Sequence, residues 1–173
     1  MAIIVEDGSI VANANSFASE QEVRDFALAR GVTLPGDATH PSHLLMQMMI
    51  QVMDYLNTID DGIWIGTRVS TTQPLPFPRV GVQINRRLVP SNTIPKELKD
   101  LQAAMVVMTE EGTDIWDPER DSPLGKLQIG PIQAEFEAAL VSAGPANSHA
   151  RSLMRLLTRS ASILPVRVVR GSL

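Results

Sequence analysis

Residues 64–82 read WIGTRVSTTQPLPFPRVGV and combine three prolines, an aromatic pair and two arginines with no helical period. Pro74, Pro76 and Pro78 each hold φ near the polyproline value and push the preceding residue toward extended geometry, so Gln73, Leu75 and Phe77 are barred from a helix. A connection this long without regular structure is uncommon inside a compact domain. Trp64, Leu75, Phe77 and Val82 supply apolar surface that argues against disorder, and the stretch is predicted to be an ordered strap. Its key residues are Trp64, Gly66, Thr67, Arg68, Gln73, Phe77, Pro78, Arg79 and Gly81. The strap reads either as a functional loop or as a covalent clamp. In the clamp, Trp64 and Phe77 fill the core while Arg68 and Arg79 stack on rings or cap helix carbonyls.

Upstream of the strap, Ser19 and Glu22 form a capping box with Phe17 placed to staple the turn. Val23, Phe26 and Ala27 then recur at helical spacing until Gly31, which predicts a first helix over 20–30. VTLPGDATHP is a breaker-rich loop. Leu44, Leu45, Met48, Met49, Val52, Met53 and Leu56 make a broad apolar stripe, so the second helix, about 41–57, is expected to be the core helix. Its methionines at 46, 48, 49 and 53 suit core filling better than an adaptable binding face. Asp60, Asp61 and Gly62 read as a turn.

Downstream, VGVQINRRLVP alternates as a short strand would, with Arg86 and Arg87 at a turn. Pro95 suits a first helical position, and Leu98, Leu101, Met105 and Met108 carry a third helix to Gly112. DIWDPERDSP is an acidic loop, LQIGPIQAEFE a hairpin or extended β segment, and AGPANS a linker. Ser148 is placed to cap a last helix running to about 160, with Arg151, Arg155 and Arg159 on one face. ILPVRVVRGSL closes the chain as an extended apolar and basic tail suited to adding a strand to a partner. The fold expected is mainly α: a small bundle of about four helices with the strap, a short β segment and the tail. Residues 1–145 form its core, and 146–173 form the last helix and tail.

Composition narrows the function classes. The 173 residues include no cysteine, which excludes thiol catalysis, thiolate metal sites and disulfides. No apolar run approaches a membrane span, MAIIV is too short for a signal segment, and synthesis in the cytoplasm is expected. Residues 1–96 carry 9 acids and 7 bases, 97–137 carry 10 acids and 3 bases, and 138–173 carry 5 arginines and no acid. The net charge of −4 therefore hides an electrostatic dipole, which suits contact between copies, docking on an acidic partner, or neutralisation within the chain. His40 and His43 lack a third ligand nearby, and Asp114, Asp117, Glu119 and Asp121 lack the spacing of a calcium loop. With no nucleophile elbow, P-loop or dinucleotide fingerprint, neither an enzyme nor a cofactor is expected. Aromatic residues are 4% of the chain and the isoelectric point is about 5.3, which argues against an autonomous single-strand binder. A stripe of Arg151, Arg155 and Arg159 remains open as a DNA face, a partner contact or a solvated helix face.

ANSFAS before a capped helix, an apolar helix ending in DYL, then W-x-G-T-R, Q-x-L-x-F-P-R-x-G-V and I-P-x-E-L together resemble a family of tailed-bacteriophage proteins. Members carry the label of DnaT-like single-stranded-DNA-binding proteins, while their gene context resembles that of head-tail adaptors. The resemblance covers roughly residues 12–110, and Phe77 stands where many relatives carry tryptophan. It implies a connector of the virion neck, assembled in the bacterial cytoplasm as a dodecameric ring that docks on the portal protein, meets other neck or tail proteins and passes DNA through its lumen without reading sequence. The portal-docking tail it implies comprises Ile163, Leu164, Pro165, Val166, Arg167, Val168, Val169 and Arg170. The alternative it implies is a single-stranded-DNA-binding protein linked to phage replication.

Overall fold

The computed structural model describes residues 2–36, 42–113, 115–116, 127–129, 132–134 and 148–159. Four helices form there: α1 (Glu20–Leu28), α2 (Ser42–Thr58), α3 (Lys96–Glu110) and α4 (Ser148–Leu157). Three two-stranded antiparallel pairs accompany them. β1 (Thr67–Arg68) pairs with β2 (Arg79–Val80), β3 (Gln83–Ile84) with β4 (Arg87–Leu88), and β5 (Leu127–Ile129) with β6 (Ile132–Ala134). No described helix is long and apolar enough to cross a membrane.

Helix ends follow local chemistry. At α1 the Ser19 hydroxyl accepts the Glu22 N–H at 3.2 Å, and the Glu22 carboxylate accepts the Ser19 N–H at 2.7 Å. This satisfies two backbone donors that the first turn leaves open. α1 and α3 end in the same way. The Val32 N–H reaches the Ala27 carbonyl and the Thr113 N–H the Met108 carbonyl, with Gly31 (φ 76°) and Gly112 (φ 82°) in the left-handed region that closes such a turn. Pro95 stands one position before the helix expected to contain it, as the N-cap of α3.

The central helix is α3, whereas the apolar stripe of α2 favoured that helix. α1, α2 and α4 all pack on α3, and every residue from Leu101 to Met108 is buried, together with Leu98. α2 buries only one stripe, Leu45, Met49, Val52, Met53 and Leu56, leaving Met46 and Met48 half-buried. Ala103 and Ala104 explain the difference, because small side chains let neighbouring helices approach α3 from more than one side. α4 contributes Ala150, Leu153 and Leu157 to the same core.

One polar residue interrupts the centre of α3. Gln102 is fully buried, and its Oε1 accepts the N–H groups of Phe17 (2.9 Å) and Ala18 (3.1 Å), while its Nε2 donates to Ser16 Oγ at 2.8 Å. Ser16 Oγ passes the chain on to the Ala18 carbonyl at 2.6 Å. The entry to α1 is thus fixed by a side chain more than 80 residues away, and Phe17 is delivered into the core edge-on to Phe77 at 6.4 Å.

The strap differs from the expectation of a wholly irregular segment. Its ends pair as β1 and β2, Thr67 opposite Val80 and Arg68 opposite Arg79, so residues 69–78 form a closed loop. The next segment is a hairpin and not a single strand, with the turn at Asn85 and Arg86 and with Arg87 already on β4 opposite Ile84. Gln102→Leu keeps the volume but strands two buried N–H groups, each costing about 1–3 kcal/mol. Urea unfolding is expected to show a native fold destabilised by about 2–4 kcal/mol, and an unchanged midpoint would contradict this role.

Candidate nucleic-acid interface

Pro74, Pro76 and Pro78 donate no backbone hydrogen bond, so beyond the short β1–β2 pairing the strap cannot satisfy its carbonyls through a ladder or a helix. Side chains supply the donors. Gln73 Nε2 donates to the carbonyls of Leu75 (2.8 Å) and Pro78 (3.1 Å), and its Oε1 accepts the Ser70 N–H at 3.0 Å. Arg68 Nη1 donates to the carbonyls of Gln73 and Leu75, both at 3.3 Å. Arg79, with a side chain only 1% exposed, donates to the carbonyls of Ile65 (2.9 Å), Pro76 (3.2 Å), Asp61 (3.1 Å) and Gly66 (3.1 Å).

Asp61 balances this buried guanidinium. Its Oδ1 accepts Arg79 Nη1 at 2.6 Å and Arg68 Nε at 2.7 Å. The Arg79 hydrogen bond is the main cause holding the Asp61 carboxyl at a pKa of about 2, with Arg68 adding to it and burial opposing. The expectation for Asp60 and Asp61 was a turn, and a turn is present, with Asp60 Oδ1 accepting the Gly62 N–H at 2.7 Å. The role of Asp61 as counter-ion to both strap arginines was missed, because nothing in the sequence pairs it with residues 7 and 18 positions away. Arg68 and Arg79 cap no helix; they hold the strap, although Arg79 also stands 5.9 Å from the Phe77 ring centre.

Trp64 and Phe77 are fully buried and meet edge to face at 5.5 Å. The Trp64 indole N–H has no hydrogen-bond partner among the described residues. Pro78 is buried, whereas Thr67 and Gly81 are exposed. Gly66 is pressed against the strap's far end, and a Cβ there would lie 2.5 Å from the Val80 carbonyl oxygen.

The end of α4 is stitched to this knot. The Ile65 N–H donates to the Leu157 carbonyl at 3.0 Å, the Arg159 N–H donates to the Ile63 carbonyl at 2.7 Å, and Thr158 bridges Trp64. That pairing stops the helix at Leu157, short of the expected residue 160, so Arg159 leaves the helical face shared by Arg151 and Arg155. Arg159 Nη2 donates instead to the Gly66 carbonyl at 3.2 Å, the same oxygen that Arg79 binds. Arg155 is exposed and without an ion pair among the described residues, while Arg151 is half-buried.

At the other end of α4, His149 stacks on Phe26 with ring centres 6.2 Å apart. The Arg30 guanidinium lies 3.4 Å from the Phe26 ring centre, and its Nη1 donates to the Phe26 carbonyl at 2.9 Å. Phe26 and Arg30 also line a groove of about 310 Å³ between α1 and α3. The groove's lysines are each paired, Lys99 with Glu22 at 2.7 Å and Lys96 with Asp100, while Asp25, also lining it, accepts a hydrogen bond from Gln21. Phe26, read from the sequence only as part of the helical spacing of α1, is half-buried against the core, and its spacing of four from Arg30 was the signal for the cation–aromatic pair. α4 itself carries no acidic side chain over its ten residues, about 15 Å. The helix begins at the Phe26–His149 stack and leads, past its last residue Leu157, to Arg159 and the strap.

Trp116 is 49% exposed and packs edge-on to Tyr55 at 5.7 Å, and burial raises the Tyr55 hydroxyl pKa. The expected docking tail, Ile163–Arg170, lies outside the described residues, as do His40, Asp114, Asp117, Glu119 and Asp121. Among the described residues no cluster of His, Asp or Glu is arranged to hold a metal ion.

Asp61 titrates below the carboxylate value of 3.8, so its stabilising contribution is complete above about pH 4 and is lost as pH falls through about 2. Asp61→Asn leaves Arg79 buried without its counter-charge. The variant is expected to be less stable at neutral pH and to show a shallower dependence of stability on pH between about 4 and 2. Chemical denaturation across that range measures both, and parallel profiles for the two proteins would contradict the pairing.

No curated protein and no solved structure matches the chain. A family model matches residues 1–171, and its description names single-stranded DNA and not a connector. This finding overturns the expectation of a head-to-tail adaptor in the virion neck, with its portal docking and dodecameric ring, and favours the alternative. With the match extending over nearly its whole length, the chain belongs to the family described as "Putative DnaT-like ssDNA binding protein".

Proposed function

We propose that the protein binds single-stranded DNA, without reading base sequence and without catalysis, as a DnaT-like factor linked to phage replication. The observation that carries this reading is an α4 that holds arginines and no acid. Arg155 is exposed near the end of α4, Arg159 joins Arg79 at the Gly66 carbonyl of the strap, and His149 stacks on Phe26 at the helix start. Single-strand binders combine a basic track for the phosphates with π faces for the bases; here the exposed His149 ring shares α4 with Arg155. The acidic composition does not oppose it, because 10 of the 19 acids fall in residues 97–137 and none in 138–173. Asp61, the acid beside the strap, is already engaged by two arginines.

Phosphate contacts release counter-ions, so affinity for a single strand falls with salt by about 0.7 logarithmic units per contact. Labelled oligothymidine followed by fluorescence anisotropy at several salt concentrations is expected to show binding that weakens steeply as salt rises. The Arg155→Ala, Arg159→Ala double variant is expected to lower the slope by about 1.4 and to weaken binding at low salt. Absence of binding by the unaltered protein at low salt, or an unaffected double variant, would overturn the reading.

A further inference from the structure

The β3–β4 hairpin carries charge at an unusual backbone position. Its two-residue turn sets Asn85 at φ 50° and Arg86 at φ 64°, the twisted turn in which glycine is favoured at the second place. Arginine occupies that place here. The side chains of Arg86 and Arg87 are both exposed and make no hydrogen bond or ion pair among the described residues. Leu88 follows at 74% exposure, above every other exposed large apolar side chain among the described residues. No structural requirement of the core accounts for the three.

The hairpin also has a fixed place relative to the α4 face. Val82, at its root, touches Gly66, where a Cβ would lie 3.0 Å from Val82 Cγ2, and the Gly66 carbonyl holds Arg159. From Val82 to the turn is about 10 Å of extended chain. The ribbon therefore begins where the single-strand face ends.

We infer that this hairpin grips the duplex end of a junction between single- and double-stranded DNA, an inference that rests on the single-strand reading above. The tip offers no ring on which an unpaired base would stack. It offers two guanidiniums for phosphates on a two-stranded ribbon narrow enough for a duplex groove, and a bare leucine to lie against the last base pair. Charge complementarity and continuity with Arg159 both favour DNA as the occupant.

Three labelled probes test it on the full chain: oligothymidine, a blunt duplex, and the same duplex with an oligothymidine tail. The unaltered protein is expected to bind the tailed duplex about tenfold more tightly than oligothymidine alone. The Arg86→Gly, Arg87→Ala variant, whose glycine suits the left-handed backbone, is expected to lose that advantage. Its salt slope on the tailed duplex should fall by about 1.8 with oligothymidine affinity unchanged. Leu88→Ser is expected to reduce the advantage without changing the salt slope. Equal affinity of the unaltered protein for tail and tailed duplex, or a variant that weakens both probes equally, would overturn the junction while leaving single-strand binding in place. Failure of the unaltered protein to bind oligothymidine would overturn the single-strand reading itself, and the junction with it.

Discussion

A single buried guanidinium sets the shape of the strap and, through it, the end of α4. Arg79 is 1% exposed and serves the carbonyls of Asp61, Ile65, Gly66 and Pro76 as well as the Asp61 carboxylate. Removing a charge from water is costly unless its hydrogen bonds and its counter-charge are both supplied, and here both come from a loop of fewer than twenty residues. Arginine is suited to this because its planar fork offers five donors in fixed directions. A lysine would present three donors at one point and could not span acceptors on both sides of the strap.

What could be read in the sequence was what depends on neighbours along the chain. The Ser19–Glu22 box and the glycines that end α1 and α3 are local, and the structure has them where the spacing puts them. Trp64 and Phe77 were legible as core residues because an apolar, proline-stiffened segment has nowhere else to place them. The dominance of α3 was not legible. Its composition is less apolar than that of α2, and its central position comes from two alanines and from Gln102, whose partners lie more than 80 residues away. The register of α4 was readable only as far as Leu157, because a bridge to Trp64, remote in sequence, redirects Thr158 and Arg159. The site was harder still: Asp61 looked like a turn residue, and nothing local paired Phe26 with His149, remote in sequence. The family resemblance reached the label that the full-length match bears, but the function drawn from it as a neck connector gives way to that match.

The protein reconciles an acidic total with a basic face by segregation along the chain. Opposite charges in one short segment would screen each other, whereas an acid-free α4 keeps its field beyond the first hydration layer at moderate ionic strength. The groove between α1 and α3 shows the contrary arrangement, with its lysines consumed by Glu22 and Asp100. Two surfaces with similar numbers of cations thus differ in what they offer an anion.

The prolines of the strap carry a further consequence for the chain before it is fully folded. Leu75 and Phe77 belong to an extended, apolar, uncharged stretch, the composition from which intermolecular β structure nucleates when a chain is transiently open. Alternating prolines at 74, 76 and 78 remove every second donor along it, so a strand from a neighbouring molecule finds no continuous edge to extend. The segment that stiffens the native loop is also the one least able to recruit another copy during synthesis.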